Sequence, residues 1–366
     1  MPQDTPLDTP APSHAVPLTS QVGGHAGVMT SEDGSLLIKP AHPVEVSFYQ
    51  CVGSEPGFAP LRPYIPKFFG TLKLAGQVDP KSQSEGGDIK IVEAHTEDKD
   101  MSFSHVLHWD GKLIECSQSI VLENLSNGFS KPNILDVKLG TVLYDDDAPP
   151  EKRERMEKAA KATTSFETGI RLTGFQVYDL STGLAVNTPK SYGKSINPSQ
   201  LSEGVARFFP IAPSDVSTQP DASSGAETSP EEKKATGTGL PATILLPILE
   251  YLLEDIEDIR EAIASMEFRM VGGSLLIVYE ADLERAKAGL EWYENLGIGE
   301  EDDDDDDDDE EAGKKRYGPP YLVKLIDFAH TKVVPGKGPD NGVLKGVDTV
   351  LELLRGRIEE VRLAGQ

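Results

Sequence analysis

The chain has 366 residues, 38% of them hydrophobic and 26% charged, a length at which one core gives way to two compact lobes. Its longest apolar stretches, Ile244–Leu253 and Leu275–Tyr279, are broken by proline or acidic residues well short of a bilayer span, which speaks against a membrane protein. The net charge of −26 argues against an anionic ligand only until the run Glu300–Glu311 is set aside; its twelve carboxylates sit together, and the rest of the chain carries about −14.

In chain order, Met1–Ser20 is rich in Pro, Thr and Ala and reads as a disordered tail, without the basic start and apolar run of a signal peptide. From residue 21 to 125, short candidate strands alternate with turns: Ser35–Lys39, Lys67–Leu74, Ile89–Ala94 and Ser119–Leu125. A helix-compatible stretch lies at Val44–Val52, and the whole suggests a sheet-rich smaller lobe. With only Cys51 and Cys116, read as two small buried thiols, no disulfide framework is expected and the compartment is reducing.

The larger lobe, 126–366, contains two inserts, 212–240 and 299–316, too poor in apolar residues to offset chain entropy. A charged helix is predicted between Pro149 and Ser165, starting after Pro149 and Pro150, and a strand at Arg171–Tyr178. Ile244, Leu245, Ile248, Leu249, Leu252, Leu253, Ile256, Ile259 and Ile263 recur at helical spacing, the mark of a helix packed on a core. Phe268–Glu280 reads as a hairpin or paired strands with a Gly272-Gly273 turn, Asp282–Leu296 as a helix, Tyr321–Phe328 as a buried strand and Thr349–Arg362 as a closing helix.

The most specific element is Pro132-Asn133-Ile134-Leu135-Asp136-Val137-Lys138-Leu139-Gly140. Around it stand Gln21-Val22-Gly23-Gly24-His25, Thr163-Thr164-Ser165, Gly174-Phe175-Gln176-Val177-Tyr178, Tyr192-Gly193-Lys194, Gly273-Ser274-Leu275-Leu276 and Leu325-Ile326-Asp327-Phe328-Ala329-His330. The nine-residue run matches Pro-x-x-x-Asp-x-Lys-x-Gly, and the order of the other elements resembles the inositol phosphate kinase family over roughly Gln21 to Leu354. The resemblance implies a two-lobed α+β kinase-like fold, a small antiparallel-sheet lobe and a larger mixed lobe, with ATP in the cleft.

It also implies roles. Phosphoryl transfer asks a protein to hold nucleotide, metal and acceptor in line and to offset charge, so cations and a metal-binding carboxylate are the expected parts. Asp327 is expected to bind Mg²⁺ bridging the ATP phosphates, with Ser274 as a second group near metal or phosphate. Lys39 is expected to reach the phosphates, held by Glu45, and the backbone near Glu123 and Leu125 to meet adenine. Asp136 and Lys138 share one face of an extended segment; the resemblance assigns Asp136 to the ribose and Lys138 to the acceptor and the transferred group. Lys152, Arg155 and Lys158, three apart on the charged helix, form a basic stripe for the anionic acceptor, joined by Lys194 and His330.

About ten residues separate Gly140 from the charged helix, leaving no room for an enclosing acceptor-binding insertion. That favours an open acceptor site and sequential phosphorylation from inositol trisphosphate to tetrakis- and pentakisphosphate. The alternatives are a hexakisphosphate kinase making pyrophosphates, or a nuclear scaffold using the acidic run as a docking arm. Fungal-type members bring in a nuclear and cytoplasmic location and nuclear protein partners. No membrane contact and no direct nucleic-acid binding are expected.

Overall fold

The computed structural model describes residues 28–72, 118–212, 239–296 and 318–366, together with short strands at 15–17, 77–78, 91–92, 106–109 and 112–115. Gln21–His25, Cys116, most of the tail, and the greater part of both inserts lie outside these residues.

The smaller lobe runs β1 (Ala15–Pro17), β2 (Met29–Ser31), β3 (Leu36–Pro40), α1 (Pro43–Ser54), a 3₁₀ helix at Pro56–Tyr64 and β4 (Phe68–Leu72). Two small pairs follow, β5 (Gln77–Val78) with β6 (Ile91–Val92) and β7 (Val106–Trp109) with β8 (Lys112–Glu115), and then β9 (Ser119–Glu123). The main sheet has the order β1-β2-β3-β9-β4 and is antiparallel throughout. β1 falls inside the tail that composition marks as disordered. Its backbone pairs Ala15 with Ser31 and Pro17 with Met29, a long-range ladder that local composition does not report.

Helix α1 starts at Pro43, where a missing N–H costs nothing, and buries Glu45, Val46, Phe48, Tyr49 and Val52 against the sheet. Cys51, on its flank, is a partly exposed free thiol rather than a buried one. Leu125, expected at the end of a strand, lies instead in the turn after β9.

The larger lobe contains β10 (Pro132–Leu139), α2 (Pro150–Lys161), α3 (Ser165–Thr168), β11 (Ile170–Asp179), β12 (Leu184–Thr188), α4 (Lys190–Ser195) and α5 (Leu201–Phe208). It continues with α6 (Ala242–Ala264), β13 (Phe268–Met270), β14 (Ser274–Glu280), α7 (Leu283–Leu296), β15 (Tyr321–Ile326), β16 (Thr331–Val333) and α8 (Asn341–Ala364). Its sheet has the order β12-β11-β10-β14-β15, which puts β10 at the centre.

Phe268–Glu280 is not a hairpin. Phe268 pairs with Val333 of β16, whereas Ser274 pairs with Lys138 and Ile326, so Gly272-Gly273 carries the chain from one sheet to another. Two apolar runs flanking glycines announce strands but not their partners, which distant packing selects.

Leu245, Ile248, Leu249, Leu252, Ile256, Ile259 and Ile263 of α6 have no solvent exposure, and each such side chain contributes roughly 1.5–3 kcal/mol of burial. α8 packs its Val343, Val347, Leu351, Leu354 and Ile358 face on α6, and Asp340 caps it by accepting from the Gly342 and Val343 N–H groups at 3.0 and 3.1 Å. This pair backs the sheet, and α6 also meets the 3₁₀ helix of the smaller lobe, where the Tyr64 hydroxyl donates to Asp258 Oδ2 at 3.0 Å.

Candidate active site

The register of the larger sheet brings the distant motifs together. Lys138 pairs with Ser274, and Ser274 pairs with Ile326, so the three lie in one row and Asp327 follows at its end. Asp327 has φ 66°, an uncommon value for a non-glycine residue; it turns the chain sharply off β15. The neighbouring Phe328 has no solvent exposure and stacks on Phe48 of α1 at 4.4 Å between ring centroids, with Tyr49 edge-on at 5.5 Å. These contacts hold the turn.

Across the cleft, Lys39 near the end of β3 points its ammonium at Asp327 Oδ1, 2.6 Å away, and at Glu45 Oε1, 3.0 Å away. Burial draws the Lys39 pKa down, but Asp327 and then Glu45 more than offset this and hold it above its ordinary value. The expected Lys39–Glu45 pair is present, with Glu45 only 1% exposed.

Asp136 sits on the central strand among Ile134, Leu135, Val137 and Leu139, only 4% exposed. Burial raises its carboxyl above the usual range against the opposing pull of the Ser274 hydroxyl, and its Oδ1 accepts no hydrogen bond among the described residues. A buried carboxylate oxygen without a partner is costly, which marks it for a ligand donor. Lys138, two residues on, donates to the Gly272 carbonyl at 2.8 Å; burial lowers its pKa against the attraction of Asp136 and Asp327. Gly272 has φ +78° and Gly140 φ +101°, conformations that suit glycine and explain why those positions carry it.

α2 carries Lys152, Arg155 and Lys158, the cations expected to meet the acceptor. Among the described residues none of the three is in an ion pair, although glutamates alternate with them, and Glu157 instead accepts from the Tyr144 hydroxyl at 2.9 Å. Lys194 is exposed on α4. His330 Nδ1 stands 2.8 Å from Asp145 Oδ2, which fixes the ring at the mouth of the cleft. Glu123 is held through its side chain by the Lys67 N–H at 2.9 Å. The Leu125 backbone makes no hydrogen bond among the described residues.

The sequence patterns do not pick out two further cations. Arg171 on β11 lies directly opposite Lys138, and burial lowers its pKa against the attraction of Asp136. Lys190 on α4 acts on both Asp136 and Lys138 through its charge. A lone cation between Ile170 and Leu172 in a strand is the one signal that marks Arg171 in advance.

Among the described residues no three His, Cys, Asp or Glu side chains gather into a metal cage. Mg²⁺ needs none: it keeps several waters and takes one or two carboxylates plus substrate phosphates. Asp327, whose Oδ2 is engaged by no hydrogen bond among the described residues, fits that pattern, with Ser274 beside it on the row and the unpartnered Asp136 oxygen nearby.

A sequence model of the family described as inositol polyphosphate kinase matches residues 119–224 and 242–355. The inositol polyphosphate multikinase of Saccharomyces cerevisiae is 31% identical over 92% of this chain and 96% of its own. That of Schizosaccharomyces pombe is 32% identical over 52% of this chain and 61% of its own. Among solved structures, the S. cerevisiae inositol phosphate multikinase Ipk2 in complex with ADP and Mn²⁺ is 27% identical and superposes with a TM-score of 0.54, covering 89% of this chain and all of that one. The chain belongs to the inositol polyphosphate kinase family.

Proposed function

We propose that this protein transfers the γ-phosphoryl group of ATP to soluble inositol polyphosphates, converting a trisphosphate in sequence to tetrakis- and pentakisphosphate. The observation that carries the reading is the convergence of Lys39, Asp327, Ser274 and Lys138 at the junction of the two sheets; α2, which begins ten residues after Gly140, adds Lys152, Arg155 and Lys158, unpaired among the described residues and read here as the acceptor's rim.

The nucleotide lies between the sheets, with its phosphates toward Lys39 and its ribose toward the free oxygen of Asp136. Asp327 and Ser274 would hold Mg²⁺, which when bound neutralises charge on the β- and γ-phosphates. The acceptor hydroxyl oxygen bonds to the γ-phosphorus and releases its proton to solvent as the bond to the β-phosphate oxygen breaks, and ADP leaves with that electron pair. Lys138 offsets the charge that spreads over the equatorial oxygens during that exchange. α2 starts ten residues after Gly140, so the acceptor meets an open rim of separate charges instead of an enclosing subdomain. Such a rim accepts a product in a rotated pose that presents a new hydroxyl.

Initial rates with ATP and Mg²⁺ test the reading: trisphosphate and tetrakisphosphate acceptors are used well and hexakisphosphate poorly. Fast pyrophosphate formation from hexakisphosphate with little use of trisphosphate overturns it. The same reading places the protein in both nucleus and cytoplasm, with nuclear protein partners. Imaging of a tagged full-length chain confined to the cytoplasm would contradict that.

A further inference from the structure

The linker between the two sheets, Asn124 to Lys131, is fastened at both ends and folded between them into a turn, in which the Asn127 N–H donates to Asn124 O at 3.1 Å and the Phe129 N–H to Ser126 O at 3.2 Å. At its start Asn124 donates its backbone N–H to Ser35 O at 2.8 Å and its Nδ2 to Gly34 O at 2.7 Å, which ties it to the β2–β3 turn of the smaller lobe. At its end a single carboxylate gathers the chain. Glu280, the last residue of β14 and 3% exposed, accepts from Ser130 N–H at 2.7 Å, Lys131 N–H at 2.9 Å and Asp282 N–H at 2.9 Å. Arg285 of α7 stands 3.5 Å from Glu280 Oε2 and donates to the Gly128 carbonyl at 2.7 Å, and Lys131 Nζ pairs with Asp282 Oδ2 at 3.0 Å. Between the fastenings lies Leu125, whose backbone N–H and C=O have no partner among the described residues.

Burying a carboxylate costs more than burying an apolar side chain unless its oxygens are satisfied, and here two of the three amides that satisfy it belong to the linker. The position therefore spends its charge on fixing where the linker runs.

We infer that Glu280 is a positioning residue for the nucleotide base: with Arg285, it holds the linker so that the free Leu125 amide and carbonyl face the adenine edge. This rests on the placement of ATP between the sheets given above. Glu280 touches neither substrate nor metal; it acts through the linker backbone. Glu280→Gln preserves size and one acceptor oxygen but sets an NH₂ group against a backbone N–H, so it loosens one fastening without opening a cavity.

The test is calorimetric titration of the full chain with Mg·ADP and with inorganic tripolyphosphate, which has the phosphates and no base. For Glu280→Gln the Kd for Mg·ADP rises about tenfold while that for tripolyphosphate and the KM for inositol trisphosphate stay within about twofold. Arg285→Gln, at a half-exposed position, shifts ADP affinity in the same direction by less. Equal weakening toward ADP and tripolyphosphate would reveal general loosening and overturn the inference, as would unchanged ADP affinity in folded Glu280→Gln. Should Glu280→Gln fail to fold, Arg285→Gln decides: ADP-selective weakening supports the inference and its absence refutes it. A wild-type chain that binds Mg·ADP yet phosphorylates no inositol phosphate refutes the proposed function and leaves the base-positioning test intact.

Discussion

The Lys39 ammonium stands 2.6 Å from Asp327 Oδ1, a bond between the smaller sheet and the residue just past β15 of the larger one. It ties the two sheets together, and the stacking of Phe328 on Phe48 beside it joins α1 to the Asp327 turn. With side chains 15% and 25% exposed, both partners stay within reach of a ligand, and under the proposed function nucleotide binding exchanges part of this ion pair for phosphate and metal contacts.

Asp327→Asn lowers turnover by at least roughly 100-fold at saturating Mg²⁺, because an amide holds the metal poorly while the transferring group still needs its charge offset. The side chain is 25% exposed, so the fold survives, and circular dichroism and melting temperature check that. Lys138→Ala behaves similarly in turnover. A change confined to ATP affinity would give Lys138 a different role.

Neutralising Lys152 and Arg155 raises the KM for inositol phosphates roughly tenfold and that for ATP less than about twofold, since under the proposed function these cations meet only the acceptor. Steady-state kinetics with each substrate varied in turn provides the comparison.

Phe328→Ala costs about 3–5 kcal/mol by leaving a cavity beneath α1, read as a lower urea midpoint with unchanged slope. It also lowers turnover by freeing the Asp327 turn, and Phe328→Leu restores most of both. Full activity in a destabilised Phe328→Ala would separate the packing from the catalytic geometry.

Asp33 in the β2–β3 turn is held down to about 2 by hydrogen bonds from the Ser31 hydroxyl first and then from Ser35. A carboxyl depressed on folding stabilises the native state above its unfolded value of 3.8, and that contribution is lost as pH falls through about 2. The melting-temperature gap between wild type and Asp33→Asn is therefore constant above about pH 5 and shrinks below about pH 4. A gap that widens on acidification would reverse the assigned sign.

The sequence displays the candidate site row more clearly than the scaffold that makes it a row. Asp136, Lys138, Ser274 and Asp327 stand in short motifs, and the apolar stripe of α6 is predicted almost to its ends because helix periodicity is local. The separation of β13 from β14 is not visible, since strand pairing depends on residues far away in the chain. Arg171, Asp145 and the Glu280–Arg285 fastening are likewise defined by partners across the fold, and nothing in their immediate neighbours names those partners.

The central claim is sequential transfer at an open acceptor site, and a time course tests it most directly: purified protein, ATP, Mg²⁺ and inositol 1,4,5-trisphosphate, with products resolved by anion-exchange chromatography. The account predicts a tetrakisphosphate that rises and then falls as a pentakisphosphate accumulates. A reaction that stops at one tetrakisphosphate, or that leaves trisphosphate untouched while converting hexakisphosphate to pyrophosphates, would contradict it.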